Sequence, residues 1–182
     1  WKPHVVFNLL EEFHGMAEFD THVVSYLELL RVPYTGCNPR GLMLARGKAL
    51  AKKIMTWHRI RTPGFVVFPR GRKAVRLPRG VKYPAIVKSL TEESSLGISQ
   101  ASIVADAEEL AERVTFIHER IGSDAIVEEY IEGRELYVGV LGNTRREVFP
   151  VREMICEKLP KGAAASATER VRDDVAGQEK AG

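Results

Sequence analysis

Residues 83–99 read YPAIVKSLTEESSLGIS, and the reading of this stretch decides the fold of the chain. Ala85, Ile86 and Val87 make a short apolar run of the kind that fills a buried strand. Pro84 stands at its entrance, a position proline tolerates because it has no ladder N–H to lose. Lys88 closes the run, so its ammonium can reach out of a sheet towards an anion. Further on, Ser94-Ser95-Leu96-Gly97 offers two hydroxyl donors and a glycine whose backbone can adopt positive φ and approach a ligand closely. A loop of this composition can gather N–H groups into a nest for phosphate, with the lysine as a compact charge on a phosphate oxygen. The same residues also suit a surface hairpin with a solvated lysine. Glu92 and Glu93 oppose a phosphate unless their carboxylates point away or hold a metal. The stretch alone leaves both readings open.

The rest of the chain narrows the choice of class. Its 182 residues suffice for one domain, or one and part of another. At 45% hydrophobic and 28% charged it has the composition of a soluble globular protein. The net charge of +3, from 27 basic and 24 acidic residues, is too balanced to call for nucleic acid. The one basic block, Arg70-Gly71-Arg72-Lys73, sits between strand-like runs and reads as a solvated turn. Cys37 and Cys156 have no metal-ligand spacing and read as reduced thiols of a cytoplasmic protein. No apolar run has the length of a membrane span, and no secretory signal opens the chain. A chain that starts at Trp1 within a folded pattern is expected to be a fragment, lacking both ends.

In order, Val5–Leu10 is expected to be a strand. The polar loop Glu11–Asp20 follows it, where α/β proteins usually bind ligands. His14, Glu18 and Asp20 are therefore candidates to grip a polar substrate, or else an exposed histidine and an N-cap aspartate on an ordinary loop. Val23, Val24, Leu27 and Leu30 recur at helical spacing and predict a buried stripe. Val32–Thr35 is strand-like and ends at Gly36. Asn38-Pro39 matches an N-cap with proline at the first helical position. The helical pattern runs on through Leu42, Leu50, Ile54 and Trp57, with a break near Gly47 just before Lys48. Gly64–Phe68 predicts a strand, Ala74–Leu77 a weak one, and Ile98–Ser102 a return strand after the opening stretch. Asp106 with Glu109 resembles a capping box. Leu110, Val114, Ile117 and Ile121 then give one apolar face, and Gly122 ends the helix. Ala125–Tyr130, Arg134–Leu141 and Glu147–Arg152 alternate as an antiparallel meander. Thr168–Lys180 could form a helix with only Val171 and Val175 to bury, which is marginal alone.

The order of these pieces carries a resemblance. Ile86-Val87-Lys88 with Ser94-Ser95-Leu96-Gly97, and Val127-Glu128-Glu129-Tyr130-Ile131-Glu132-Gly133-Arg134-Glu135, resemble the ATP-grasp fold, and within it the D-alanine–D-alanine ligase-like carboxylate–amine ligases. Val32-Pro33-Tyr34-Thr35-Gly36-Cys37 and His14-Gly15 look like that family too. The resemblance covers Val5 to Arg152. It implies an α/β (α+β ATP-grasp) fold: a remnant of an N-terminal α/β domain over residues 1–40, and an ATP-grasp domain with an antiparallel nucleotide-binding sheet over 41–182, truncated at its C-terminus.

The resemblance also implies residue roles. Lys48 and Lys88 would sit on ATP phosphates. Ser94, Ser95 and the backbone to Gly97 would close over the terminal phosphates, with Ser94 and Lys88 closest to the chemistry. Glu128 and the backbone of Glu129, Tyr130 and Ile131 would meet the adenine edge, and Glu135 the ribose hydroxyls. A strand-end carboxylate suits such donors. His14 and Glu18 would face substrate. The implied reaction is two-step: a carboxylate takes the γ-phosphoryl of ATP, and an amine then displaces phosphate from the acyl phosphate. Such chemistry rests on positioning and charge neutralisation. No metal ligand is assigned in this chain; those for Mg²⁺ are expected beyond Gly182, as is the catalytic arginine. The partners implied are small carboxylate and amine substrates, without nucleic acid or membrane, and a homodimer is an expectation for the full-length protein. The loop at 14–20 departs from the family's His-Gly-x-x-Gly-Glu-Asp-Gly, with Ala17 in place of a glycine and Glu18-Phe19-Asp20 in place of Glu-Asp-Gly. Ser89 replaces a proline often found after the lysine. A ligase for another amino acid or peptide, and a nucleotide-binding module without catalysis, are the alternatives.

Overall fold

The computed structural model describes residues 3–72, 74–91 and 99–154. Three helices come first: α1 (Phe19–Leu29), α2 (Pro39–Arg46) and α3 (Lys48–Trp57). Asn38 caps α2 as expected, its side-chain oxygen accepting the Gly41 N–H at 2.8 Å. Gly47 separates α2 from α3.

Val5–Leu10 is not a strand. Among the described residues its only ladder contacts are the Val6 N–H to Pro33 O and the Thr35 N–H to Val6 O, a parallel bridge between Val6 and Tyr34. Phe7 and Leu9 are exposed. An apolar run of strand length becomes a strand only where a neighbour takes up its backbone groups. Asp20 is not the N-cap of α1 either. Glu18 holds that position without a side-chain cap, and Asp20 lies in the first turn. Asp20 is buried and paired with Arg46 of α2 at 2.6 Å, while its other oxygen accepts from the Thr21 hydroxyl. Of the expected α1 stripe, Val24 is fully buried, Val23 and Leu27 are half-buried, and Leu30 is exposed.

The central sheet has strands β1 (Phe65–Phe68), β2 (Ala85–Ser89), β3 (Ile103–Val104) and β4 (Ala125–Glu129), in the order β1-β4-β2-β3 and antiparallel throughout. The expected return strand is shifted: Gln100–Ser102 is a 3-10 turn, and only Ile103–Val104 pairs with β2. Ala74–Leu77 forms no strand, but Val75 and Leu77 pack on the core. The basic turn after β1 is tied down rather than merely solvated. The Arg70 N–H reaches Asp124 at 2.9 Å, and Arg72 lies over the Phe68 ring.

Helix α4 (Ala107–Phe116) continues as one π turn, Ile117–Ile121, and ends at Gly122 with φ 77°. Asp106 caps it, accepting from the N–H groups of Glu108 and Glu109. Leu110, Val114 and Ile117 are fully buried against Phe68, Val87 and Val127. This is the core of the described residues. Ile121 packs partly buried at its edge.

The expected meander is divided between sheets. β4 pairs with β1 and β2, whereas β5 (Glu135–Tyr137) pairs with β8 (Arg152–Met154) and β6 (Val140–Leu141) with β7 (Glu147–Val148). The Phe149 N–H to Gly139 O bond links the two short ladders into one hairpin. Leu136, Val138 and Val140 alternate but stay exposed. The possible helix over 168–180 lies outside the described residues. Among those residues, no helix is long and apolar enough to cross a membrane.

Candidate functional site

Strand register sorts the side chains of the central sheet onto two faces. In an antiparallel pair, directly opposed residues share a face, and the faces alternate along each strand. Ala85 and Val87, opposite Glu129 and Val127, lie on the face covered by α4. Ile86 and Lys88, opposite Glu128 and Ile126, lie on the other. Phe65 of β1 is also opposite Glu128, so this carboxylate is flanked by Phe65 and Ile86.

Lys88 and Glu128 are thus diagonal neighbours on one face. The Lys88 ammonium donates to one Glu128 oxygen at 3.0 Å. The other Glu128 oxygen is 3.5 Å from Lys52 Nζ. Lys52 enters from α3, with its ammonium 5.7 Å from the centre of the Phe65 ring. Glu128 and Lys52 are buried, while the Lys88 side chain keeps 26% of its exposure. One carboxylate is therefore held between two ammoniums, and the more accessible ammonium belongs to β2. That arrangement can receive an anion at Lys88.

Lys52 escaped the sequence reading. The apolar residues at helical spacing on α3 pointed to Leu50, Ile54 and Trp57 as its inner face, yet these are exposed, Trp57 at 83%. The helix turns a lysine inwards because a buried carboxylate waits there. The available signal was spacing: Lys52 lies one helical turn after Lys48, on the same face. Lys48 itself is the first residue of α3 and half-buried.

The other expected residues are more scattered. Beyond Glu128, the Glu129 N–H bonds Gly64 O and the Tyr130 N–H bonds Pro84 O, which steers the chain off the sheet. Gly64 permits this close packing, since a Cβ there would lie 2.7 Å from Gly80 O. Burial, helped by the Glu132 and Glu135 carboxylates, pushes the Tyr130 phenol above its usual range. Ile131 is exposed, and Glu135 accepts a hydrogen bond from the Tyr137 hydroxyl. His14 stands at φ 55° in an exposed turn closed by Phe13 and Met16, edge-on to the Phe13 ring. Glu18 is exposed at the start of α1. Among the described residues, neither hydrogen-bonds or pairs with Lys52, Lys88 or Glu128. Ser94, Ser95 and Gly97 lie outside the described residues. A shallow concavity lined by Ile103, Glu109, Arg113 and Phe116, among others, shares none of the site residues. Among the described residues no group of three or more His, Cys, Asp or Glu could hold a metal ion.

Comparison with known proteins agrees with this architecture. The family model described as "D-ala D-ala ligase C-terminus" matches residues 57–161. An uncharacterized protein, y4sG, of Sinorhizobium fredii is 38% identical over 149 residues, covering 82% of this chain and 42% of its own. A D-alanine–D-alanine ligase of Syntrophotalea carbinolica is 38% identical over 152 residues, covering 82% and 45%. The chain thus spans less than half the length of these relatives. A solved D-alanine–D-alanine ligase from Coxiella burnetii superposes with a TM-score of 0.68 at 22% identity, over 99% of this chain and 52% of that one, which shows the shared fold.

Proposed function

Because the chain belongs to the D-alanine–D-alanine ligase family, with the ATP-grasp fold, we propose that it is the nucleotide-binding part of an ATP-dependent carboxylate–amine ligase. Its first substrate class is D-alanine. The observation that carries this reading is the convergence of Lys52 and Lys88 on Glu128, on the sheet face opposite α4. Lysines held at such a point neutralise the charge that develops as a phosphoryl group moves. Lys88 would bind a phosphate oxygen, and Lys48, at the N-terminus of α3, would add a second charge. The substrate carboxylate would take the γ-phosphoryl of ATP to form an acyl phosphate. The amine would then attack the carbonyl, and the phosphate would leave with the C–O bonding pair. The backbone turning away at Glu129–Tyr130 would present carbonyl and N–H groups to the base, and Glu135 would accept from the ribose.

A second substrate reading has its own observation. In the turn that leads into α1, Ala17 stands where the family pattern has a glycine, and Glu18 is exposed. This favours a different amino acid or peptide on the same mechanism. The test is amino-acid-dependent ADP release by the full-length protein with Mg-ATP, using D-alanine beside L-amino acids and dipeptides. Release with D-alanine that falls by about a hundredfold or more in Lys88→Ala is expected, the size of losing one preorganised charge contact. Release with another pair only would keep the mechanism and move the substrate. ATP binding with no release for any pair would replace the ligase by a nucleotide-binding module.

A further inference from the structure

We propose that Lys52 is a positioning residue for the anion site. It takes up the charge of Glu128, so that Lys88 retains a net positive charge for phosphate. The inference rests on the nucleotide reading above and adds to it a residue outside the expected phosphate set.

Burying an ammonium is unfavourable unless it is paired. Leu50 and Ile54 were available on α3, yet Lys52 is the residue of that helix turned inwards, and it is only 8% exposed. Its partners account for this placement. Glu128 lies 3.5 Å away, and the Phe65 ring presents its π face to the same ammonium. Without Lys52, Glu128 and Lys88 would form a closed, neutral pair at 3.0 Å. An incoming phosphate would then have to compete with a carboxylate for the one ammonium. With Lys52 present, one negative and two positive groups leave a single positive charge. It emerges at Lys88, the more exposed of the two lysines. Lys52 therefore acts through Glu128 and touches no nucleotide.

The test is calorimetric titration of the full-length protein with ATP and with adenosine, which shares the base and ribose but has no phosphate. Lys52→Met keeps the length and removes the charge, and is expected to weaken ATP binding about tenfold while adenosine binding stays within about twofold. Lys52→Arg keeps the charge and is expected to retain ATP affinity within about threefold. In a Glu128→Gln background, which leaves no carboxylate to neutralise, adding Lys52→Met should change ATP affinity by less than about twofold. That second comparison decides the matter if Lys52→Met alone does not fold. Equal losses for ATP and adenosine, equal losses in both backgrounds, or unchanged ATP affinity in Lys52→Met would overturn the proposal. A parent protein that binds no ATP would overturn the nucleotide reading itself, and this inference with it.

Discussion

Single residues in this chain take their roles from whichever partner lies nearest in space. Asp20 has the sequence context of a helix cap, yet the Arg46 guanidinium claims it, because a buried charge needs an opposite charge more than a helix end needs a cap. Asp106, which pairs with no cation among the described residues, caps α4 as its context suggests. Tyr34 shows the same dependence on surroundings. Burial above all, then its hydrogen bond to Glu28 and the negative charge there, pushes its phenol from 10.0 up to about 12. An ultraviolet titration should find this phenolate forming with a midpoint near 12, and Glu28→Gln should lower that midpoint without abolishing the shift. The folded state holds the proton more tightly than the unfolded chain does. Tyr34 therefore contributes its full stability below pH 10, and that contribution is lost as pH rises from 10 to 12.

At the scale of elements, the parts that local chemistry specifies are the parts a reader of the sequence can find. The Asn38-Pro39 start of α2, the break at Gly47, the Asp106 cap and the Gly122 stop depend on neighbours within a few positions. Asp106→Ala should lower stability by about 1 kcal/mol, seen as an earlier urea midpoint with an unchanged slope. Strands behave differently because half of their hydrogen-bonding partners are remote. Val5–Leu10 and Ala74–Leu77 have strand composition but, among the described residues, no neighbour that pairs along their length. Ala125–Glu129 was legible as a strand, while its separation from the hairpin that follows it was not. Nothing in local alternation states which of two sheets a strand joins.

For the molecule as a whole, the central sheet separates the apolar core from the face proposed to bind phosphate. One face carries the apolar core against α4, and the other carries Lys88 and Glu128. Changes on the two faces should therefore have separable effects. Leu110→Ala, at a fully buried position of α4, should cost about 2–5 kcal/mol in urea unfolding. The protein that remains folded should bind ATP within about twofold of the parent, as read by calorimetry under native conditions. A loss of affinity matching the loss of stability would mean that the two faces are not independent.

The sequence by itself determined the starts of α2 and α4, the break at Gly47 and the stop at Gly122, the apolar run 85–87 closed by Lys88, and the order of pieces that resembles an ATP-grasp ligase. It also placed Lys88 and Glu128 at the ends of apolar runs, where their charges could leave the core. Only the tertiary structure decided that these two meet, since the Ile86–Glu128 register brings together residues 40 apart in the chain. Only the tertiary structure turned Lys52 inwards and left Leu50, Ile54 and Trp57 outside. Periodicity records which residues share a face of a helix. Which face turns inwards depends on what lies opposite, and here that is a buried carboxylate on a distant strand.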